Sequence, residues 1–134
     1  LSALKELGAR HIQICARNSE KIQEMNLIAT NLGLDLEVID WKNIHQALAA
    51  TTVISTLPSG GMDAFADRGP EIPGSLLDVS YNPWPSKLAL EWILRRGFVV
   101  SGLEMLLHQA IRQFELMTNE KAPVKQMRES IFKN

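Results

Sequence analysis

The sequence has little cysteine: Cys15 is the one thiol among 134 residues. A single thiol excludes an internal disulfide and makes a reducing compartment the default expectation. No apolar run approaches the roughly 18 residues of a membrane span, and no signal peptide opens the sequence. From these absences we expect a cytoplasmic protein with no membrane partner.

An excess of charge of either sign is also lacking. The 14 basic and 15 acidic residues leave a net charge of −1, so there is no electrostatic reason to expect nucleic-acid binding. The three histidines lie in separate elements, without a cysteine or carboxylate at metal-ligand spacing, and we expect no metal site. The P-loop and Gly-x-Ser-x-Gly patterns are absent. Trp41, Trp84 and Trp92 are interpreted as packing residues.

Apolar runs of strand length alternate with amphipathic helical stretches along the sequence. Strands are expected at residues 11–15, 34–39, 52–56, 76–81 and 98–100. Helices are expected at residues 1–7, 19–32, 43–49, 86–96, from 102 to the break at Pro123, and over about 123–133. This alternation predicts an α/β fold with a parallel sheet.

The order of these elements predicts a Rossmann-like, doubly wound parallel sheet whose first, central strand is missing. In the strand order 3-2-1-4-5-6 that strand lies in the middle. The glycine-rich turn that cradles a pyrophosphate normally follows it. Leu1 instead opens what reads as the second half of an amphipathic helix. We interpret residues 1–134 as a partial dinucleotide-binding domain, from a fragment or a processed chain.

The end of the first predicted strand is the most informative candidate site. Many NAD-binding proteins place Asp or Glu there to accept hydrogen bonds from the adenosine ribose. Here the strand continues into Ala16, Arg17 and Asn18. A guanidinium at this point suits the 2′-phosphate of NADP, through charge-assisted and bidentate hydrogen bonds. The alternative is that Arg17 is a solvated loop cation.

Other stretches follow the later strands, at the carboxyl ends where parallel sheets bind ligands. Leu57, Pro58 and Ser59 form a loop that lets a ligand approach the backbone, although any loop could use such a turn. Tyr81 is expected at the end of its strand, where its hydroxyl could meet a polar ligand. The alternative is a tyrosine packed in the core.

Gly102, Met105 and Gln109 are spaced by three and four residues, so they form one stripe on the long helix. A glycine at the helix start lets a ligand approach the unpaired N–H groups of the first turn. Taken alone, a helical methionine is usually core and a glutamine usually surface. The apolar positions expected in the core on this helix are Leu103, Leu106, Leu107, Ala110, Ile111, Phe114 and Met117.

Two motifs resemble the C-terminal, cofactor-binding half of the shikimate dehydrogenase family. The first is Asp-x-x-Tyr-Asn-Pro, present as Asp78, Tyr81, Asn82 and Pro83. The second is Gly-x-x-Met-Leu-x-x-Gln-Ala, which begins at Gly102. The motifs stand in the family's order and at its distance. The resemblance covers essentially the whole chain, but only about half of a full family member.

The resemblance implies NADPH-dependent reduction of 3-dehydroshikimate to shikimate, in the biosynthesis of chorismate and the aromatic amino acids. It implies cofactor contacts by Ala16, Arg17, Asn18, Lys21, Leu57, Pro58, Ser59, Val79, Gly102 and Met105. It implies substrate contacts by Tyr81 and Gln109. The family pattern Asn-Arg-Thr-x-x-(Arg/Lys) is kept at Arg17 and Lys21, and the chain departs from it at Ala16 and Asn18.

The family's catalytic Lys-Asp pair belongs to an N-terminal substrate domain. We therefore expect no catalytic residue in this chain, which alone would be inactive. The resemblance leaves room for a homodimer of the full-length enzyme. Three alternatives stay open: an enzyme that uses quinate or NAD, a non-catalytic nucleotide-binding module, and a decayed or truncated gene product without function.

Overall fold

The computed structural model describes residues 1–132, and the chain divides into two compact units, Leu1–Ala50 and Thr51–Asn134. Residue 133, where the predicted terminal helix ends, and residue 134, where the predicted domain ends, lie outside the described residues. Within the described part of the chain, no helix combines the length and the apolar character that crossing a membrane requires.

The first unit contains a pair of parallel strands and three helices. Strands β1 and β2 pair with His11 opposite Asp35 and Cys15 opposite Ile39. The elements are α1 (Ser2–Glu6), β1 (His11–Cys15), α2 (Ser19–Leu32), β2 (Asp35–Ile39), a 3-10 turn (Trp41–Asn43) and α3 (Ile44–Leu48). The buried apolar side chains of this unit are Ala29, Leu34, Ile39, Ile44 and Leu48.

Helix α2 begins and ends at residues with capping chemistry. The side-chain oxygen of Asn18 accepts a hydrogen bond of 2.9 Å from the Glu20 N–H, which satisfies an amide of the first turn. Gly33 closes the other end in the left-handed conformation, at φ 65° and ψ 36°. Both bounds of the predicted helix at residues 19–32 are confirmed.

The second unit contains three parallel strands in the order β3-β4-β5. Its elements are β3 (Thr52–Ser55), a 3-10 turn (Ala66–Arg68), β4 (Ser75–Asp78), α4 (Lys87–Leu94), β5 (Phe98–Ser101), α5 (Gly102–Thr118) and α6 (Val124–Ile131). The largest fully buried side chains are Leu76, Leu88, Trp92 and Leu107. They place the core of this unit on the face of β4 that Leu76 occupies.

The predicted α/β class with parallel strands is confirmed. All five predicted strands are present, grouped as β1-β2 and β3-β4-β5. Most remaining element ends lie within one or two residues of the prediction, as expected for ends that fray.

Three predicted positions are wrong. The strand predicted at residues 76–81 ends at Asp78, because the Asp78 carboxylate accepts the Ser80 N–H and turns the chain. Tyr81 therefore lies in the loop beyond β4. The long helix ends at Thr118, well before Pro123, because Asn119 adopts a left-handed φ of 57°. Met117, predicted in the core, is 85% exposed in the last turn.

The Arg95 side chain forms hydrogen bonds with the loop that precedes β4. Its Nη1 group donates to the carbonyl oxygens of Gly69, at 2.6 Å, and Pro70, at 3.1 Å. Its Nη2 group donates to the carbonyl oxygen of Asp67 at 2.9 Å. One guanidinium thus satisfies three backbone acceptors of an irregular segment.

Replacing Arg95 by alanine is expected to lower the free energy of unfolding by about 2 kcal/mol, because these acceptors lose charged donors. Arg112→Ala is the matched control, since Arg112 is exposed and its ion pair with Glu115 spans 3.9 Å. The control should cost no more than about 0.5 kcal/mol. Equal losses for the two variants in urea denaturation would contradict the role given to Arg95.

An ion pair joins α6 to the first turn of α5. The Arg128 guanidinium contacts both carboxylate oxygens of Glu104, at 2.6 Å and 2.8 Å, and lies over the Phe132 ring at 5.3 Å. The hydrogen bond from Arg128 lowers the pKa of Glu104 below its usual range. The pair therefore favours the ionised carboxylate in the folded chain.

This lowered pKa gives a pH dependence with a defined sign. The contribution of Glu104 to stability is present above its unfolded pKa of about 4.3 and is lost as pH falls through its lower folded pKa. We expect Glu104→Gln to reduce the loss of unfolding free energy on acidification, measured by denaturant titration at neutral and acid pH. The exposed Glu129 of α6 offers the control Glu129→Gln. An identical acid response in both variants would argue against the pair.

Candidate functional site

The first candidate region follows β1. The guanidinium carbon of Arg17 lies 5.4 Å from the centroid of the Trp41 ring, within cation-π range. Trp41 begins the 3-10 turn after β2, so the pairing of β1 with β2 places it beside Arg17. Trp41 is half-buried, and its ring also contacts the Arg17 cation, a contact that the interpretation of Trp41 as a packing residue did not include.

The residues around Arg17 form a cationic turn at the start of α2. Ala16 is half-buried, whereas Arg17, Asn18 and Lys21 are exposed. The side-chain oxygen of Asn18 is engaged in the helix cap, so its amide group keeps N–H donors. Lys21 stands in the first turn of α2, where the helix dipole also favours negative charge. The turn therefore offers donors and positive charge to an anion.

Two side chains of the first unit, His11 and Cys15, have a pKa that differs from the usual value. Asp35 accepts a hydrogen bond of 2.7 Å from His11 and so raises the pKa of His11 above its usual value. Burial raises the pKa of the Cys15 thiol, which disfavours a reactive thiolate. Among residues 1–132 no group of three or more His, Cys, Asp or Glu side chains could hold a metal ion.

The second candidate region follows β3, β4 and β5 in the second unit. The Val79 N–H donates to the Ser55 carbonyl oxygen at 3.0 Å, and the Gly102 N–H donates to that of Ser80 at 3.3 Å. The Ser80 hydroxyl lies 3.5 Å from the Leu57 carbonyl oxygen. The predicted stretches at Leu57, Val79 and Gly102 are therefore brought together at one edge of this sheet.

Gly102 begins α5 as predicted and is buried against the end of β4. A Cβ atom on Gly102 would lie 2.0 Å from the carbonyl oxygen of Val79 and 2.6 Å from its carbonyl carbon. Real side chains do not tolerate such distances, so this approach of helix and strand requires glycine. The close approach joins the start of α5 to the end of β4, and it leaves the Gly102 N–H bonded to Ser80 rather than free for a ligand.

The side chains predicted to contact a ligand on this side of the sheet are accessible from the surface. Tyr81 is 49% exposed, so the alternative of a core tyrosine is wrong. Met105 is 36% exposed and Gln109 is exposed on the same side of α5. The usual expectation of a core methionine therefore does not hold here.

A cleft of about 660 Å³ lies along β5 and includes Met105. Leu77, Trp84 and Phe98 give it apolar walls, and Ser101 and His108 add polar groups. Its volume falls within the range of small-molecule sites, about 300–1,000 Å³. Of the α5 stripe, Met105 borders this space, whereas Gly102 and Gln109 do not line it.

Three residues at this edge were not predicted as site residues. Asp78 is 2% exposed; its Oδ1 atom accepts the Ser80 N–H at 3.1 Å and its Oδ2 atom accepts the Ser86 hydroxyl at 2.5 Å. The Ser86 oxygen in turn accepts the Ala89 N–H at 3.0 Å and caps α4. The sequence offered one indication, a serine directly before an apolar helical run, which is typical of an N-cap.

Comparison with known proteins places the chain among relatives of one kind. Residues 102–132 match a sequence model described as Shikimate 5'-dehydrogenase C-terminal domain. The shikimate dehydrogenase (NADP(+)) of Dehalococcoides mccartyi is 32% identical over 137 residues, which cover 93% of this chain and 46% of that relative.

Solved structures give the same result. The Mycobacterium tuberculosis shikimate dehydrogenase matches with a TM-score of 0.87 and 34% identity, over 96% of this chain and 49% of that one. The Corynebacterium glutamicum quinate dehydrogenase, solved in complex with NAD, shares the fold at a TM-score of 0.84 and 23% identity, over 98% of this chain and 49% of that one.

The chain therefore spans about half the length of the relatives that it matches. The predicted resemblance to the shikimate dehydrogenase family, and the Rossmann-like α/β fold that it implied, are confirmed. The contacts of individual residues with a cofactor or a substrate stay predictions.

Proposed function

We propose that this chain is the cofactor-binding part of an NADP-dependent shikimate dehydrogenase, an oxidoreductase that converts 3-dehydroshikimate to shikimate in the cytoplasm. One observation carries the proposal. Two segments that resemble family motifs, one from Asp78 to Pro83 and one beginning at Gly102, are joined by the hydrogen bond from Gly102 to Ser80. They occur in a chain that is 32% identical to an enzyme of this name, over 93% of this chain and 46% of that enzyme.

The turn after β1 supports NADP over NAD. No carboxylate stands at Ala16, Arg17 or Asn18 to accept hydrogen bonds from ribose hydroxyls. Arg17, oriented by Trp41, and Lys21 supply charge for the 2′-phosphate, and the Asn18 amide supplies a further donor. The donor set fits the phosphorylated cofactor.

The edge after β3, β4 and β5 supports a role at the nicotinamide. When bound, NADPH would supply the hydride that reduces the substrate ketone, and NADP⁺ would accept it in the reverse direction. The loop of Leu57, Pro58 and Ser59 lies beside Ser80, and Val79 and Gly102 join the end of β4 to the start of α5. Met105 stands one turn further along α5, where it lines the cleft beside β5. These residues bind and orient the nicotinamide ring. None of them is given a role in proton transfer.

Tyr81 and Gln109 are proposed to bind substrate hydroxyl groups. The tyrosine hydroxyl and the glutamine amide can each donate and accept, which suits a polyol acid. No residue of this chain is assigned the proton donor that ketone reduction needs. We propose that this group lies in the part of the relatives' length that the chain does not span, and that the chain alone is inactive. A homodimer of the full-length enzyme stays a prediction.

Steady-state kinetics of the full polypeptide that carries these residues test the function. We expect shikimate-dependent reduction of NADP⁺, with lower kcat/KM when NAD⁺ replaces NADP⁺ or quinate replaces shikimate. Tyr81→Phe should raise the KM for shikimate about tenfold through the loss of one hydrogen bond. No NADP⁺ reduction with shikimate would refute the proposal, and faster turnover of quinate would favour the quinate alternative.

A further inference from the structure

We infer that Asp78 is a positioning residue that sets both the substrate-side loop and the nicotinamide-side helix of this enzyme. The expected effect of Asp78 on catalysis rests on the proposed function. Its expected effect on the loop and on the helix rests on the structure alone. Asp78 is the last residue of β4 and is 2% exposed. A carboxylate this deeply buried requires hydrogen-bond donors, and each of its oxygens has one.

The two carboxylate oxygens hold opposite ends of one loop. Oδ1 accepts the N–H of Ser80, just before Tyr81, and Oδ2 accepts the hydroxyl of Ser86, where the loop enters α4. The segment between these bonds carries Tyr81. Fixing both ends of a short loop restricts the conformations from which the tyrosine hydroxyl can project.

The Asp78 carboxylate is also linked to the start of α5 by hydrogen bonds of the Ser80 backbone. While the Ser80 N–H donates to Asp78, the Ser80 carbonyl oxygen accepts the Gly102 N–H at 3.3 Å. Gly102 in turn lies flat against Val79, too close for any Cβ atom. One peptide segment therefore links the Asp78 carboxylate to the surface proposed for the nicotinamide.

Asp78 itself does not reach either ligand on this account. Both of its oxygens are occupied by Ser80 and Ser86, and its side chain is buried. Its effect on catalysis is indirect, through the placing of Tyr81 and Gly102. Misplacement of reacting groups by about 1 Å can cost about 100-fold in rate.

Amide hydrogen exchange tests the geometric part without any activity. Asp78→Asn should raise exchange at the Ser80 and Gly102 amides by at least about tenfold, while the Leu76 amide within β4 stays protected. Ser86→Ala should have the same effect, because it removes the donor to Oδ2. Ser86→Thr, which keeps the hydroxyl, should restore the native pattern. Asp67→Asn, at an exposed aspartate, is the control and should change nothing.

Kinetics of the full polypeptide test the catalytic part. Asp78→Asn and Ser86→Ala should lower kcat about 100-fold and raise the KM for shikimate, with Ser86→Thr close to the native enzyme. Affinity for adenosine 2′-phosphate should stay native, because the turn at Arg17 belongs to the other unit. If the native polypeptide does not turn over shikimate, the proposed function fails and the exchange result still decides the geometry.

Two results would overturn the inference. One is native kinetics and native exchange at Ser80 and Gly102 in Asp78→Asn. The other is general unfolding of both Asp78→Asn and Ser86→Ala, with loss of protection throughout β4, which would make the role of Asp78 merely structural.

Discussion

Replacing Gly102 by alanine is expected to lower the free energy of unfolding by about 3 kcal/mol and to remove binding at the nicotinamide end. The added Cβ atom would lie 2.0 Å from the Val79 carbonyl oxygen, and the backbone atoms that it meets cannot rotate away. The start of α5 must therefore move from the end of β4. Thermal or urea unfolding gives the first effect, and the affinity for NADP⁺ gives the second.

Gly74→Ala is a matched control for this prediction. A Cβ atom on Gly74 would lie 2.0 Å from the Thr51 carbonyl oxygen, an equal clash at the opposite end of β4. We expect a similar loss of stability but native affinity for NADP⁺ under conditions in which the variant stays folded. Gly33→Ala meets no atom within 4 Å and strains only its φ of 65°, at a cost of about 1 kcal/mol. Equal effects of all three variants on cofactor affinity would contradict the assignment of Gly102.

Replacing Arg17 by alanine is expected to raise the Kd for NADP⁺ about 30-fold, through the loss of about 2 kcal/mol of charge-assisted hydrogen bonding. The Kd for NAD⁺ should change by no more than about twofold, because NAD⁺ has no 2′-phosphate for the guanidinium to contact. Arg17→Lys should fall between the native chain and the alanine variant, since an ammonium keeps the charge but loses the bidentate geometry.

The control for Arg17 is Arg10→Ala, in which another exposed arginine of the same unit is removed. It should leave both affinities native. Isothermal titration with the two cofactors separates the outcomes. An equal loss of affinity for NADP⁺ and NAD⁺ in Arg17→Ala would show that Arg17 does not recognise the 2′-phosphate.

The elements that depend on local chemistry could be predicted from the sequence. Helix α2 was placed correctly at both ends because Asn18 and Gly33 are neighbours of the residues that they cap. The start of α5 was correct because glycine marks a place where backbones approach closely. Five strands and their parallel class followed from the alternation of apolar runs and helices.

The predictions that were wrong concern two kinds of feature. One is a contact between residues far apart in the sequence, and the other is a backbone conformation that ends an element. Tyr81 was placed at a strand end, but Asp78 ends β4 by accepting the Ser80 N–H, a turn that the apolar run before it did not indicate. The contact of Arg17 with Trp41 exists only once β1 pairs with β2. Asn119 ended α5 in a left-handed conformation, before the proline that was predicted to do so.

A crystal structure of the full polypeptide with NADP⁺ would show where the two ends of the cofactor bind. We expect the 2′-phosphate within about 3 Å of the Arg17 guanidinium, a distance typical of charge-assisted hydrogen bonds. We also expect the nicotinamide ring against the backbone of Val79 and Gly102. A 2′-phosphate that contacts other residues while Arg17 stays in solvent, or a nicotinamide ring away from Gly102, would contradict the proposed cofactor site.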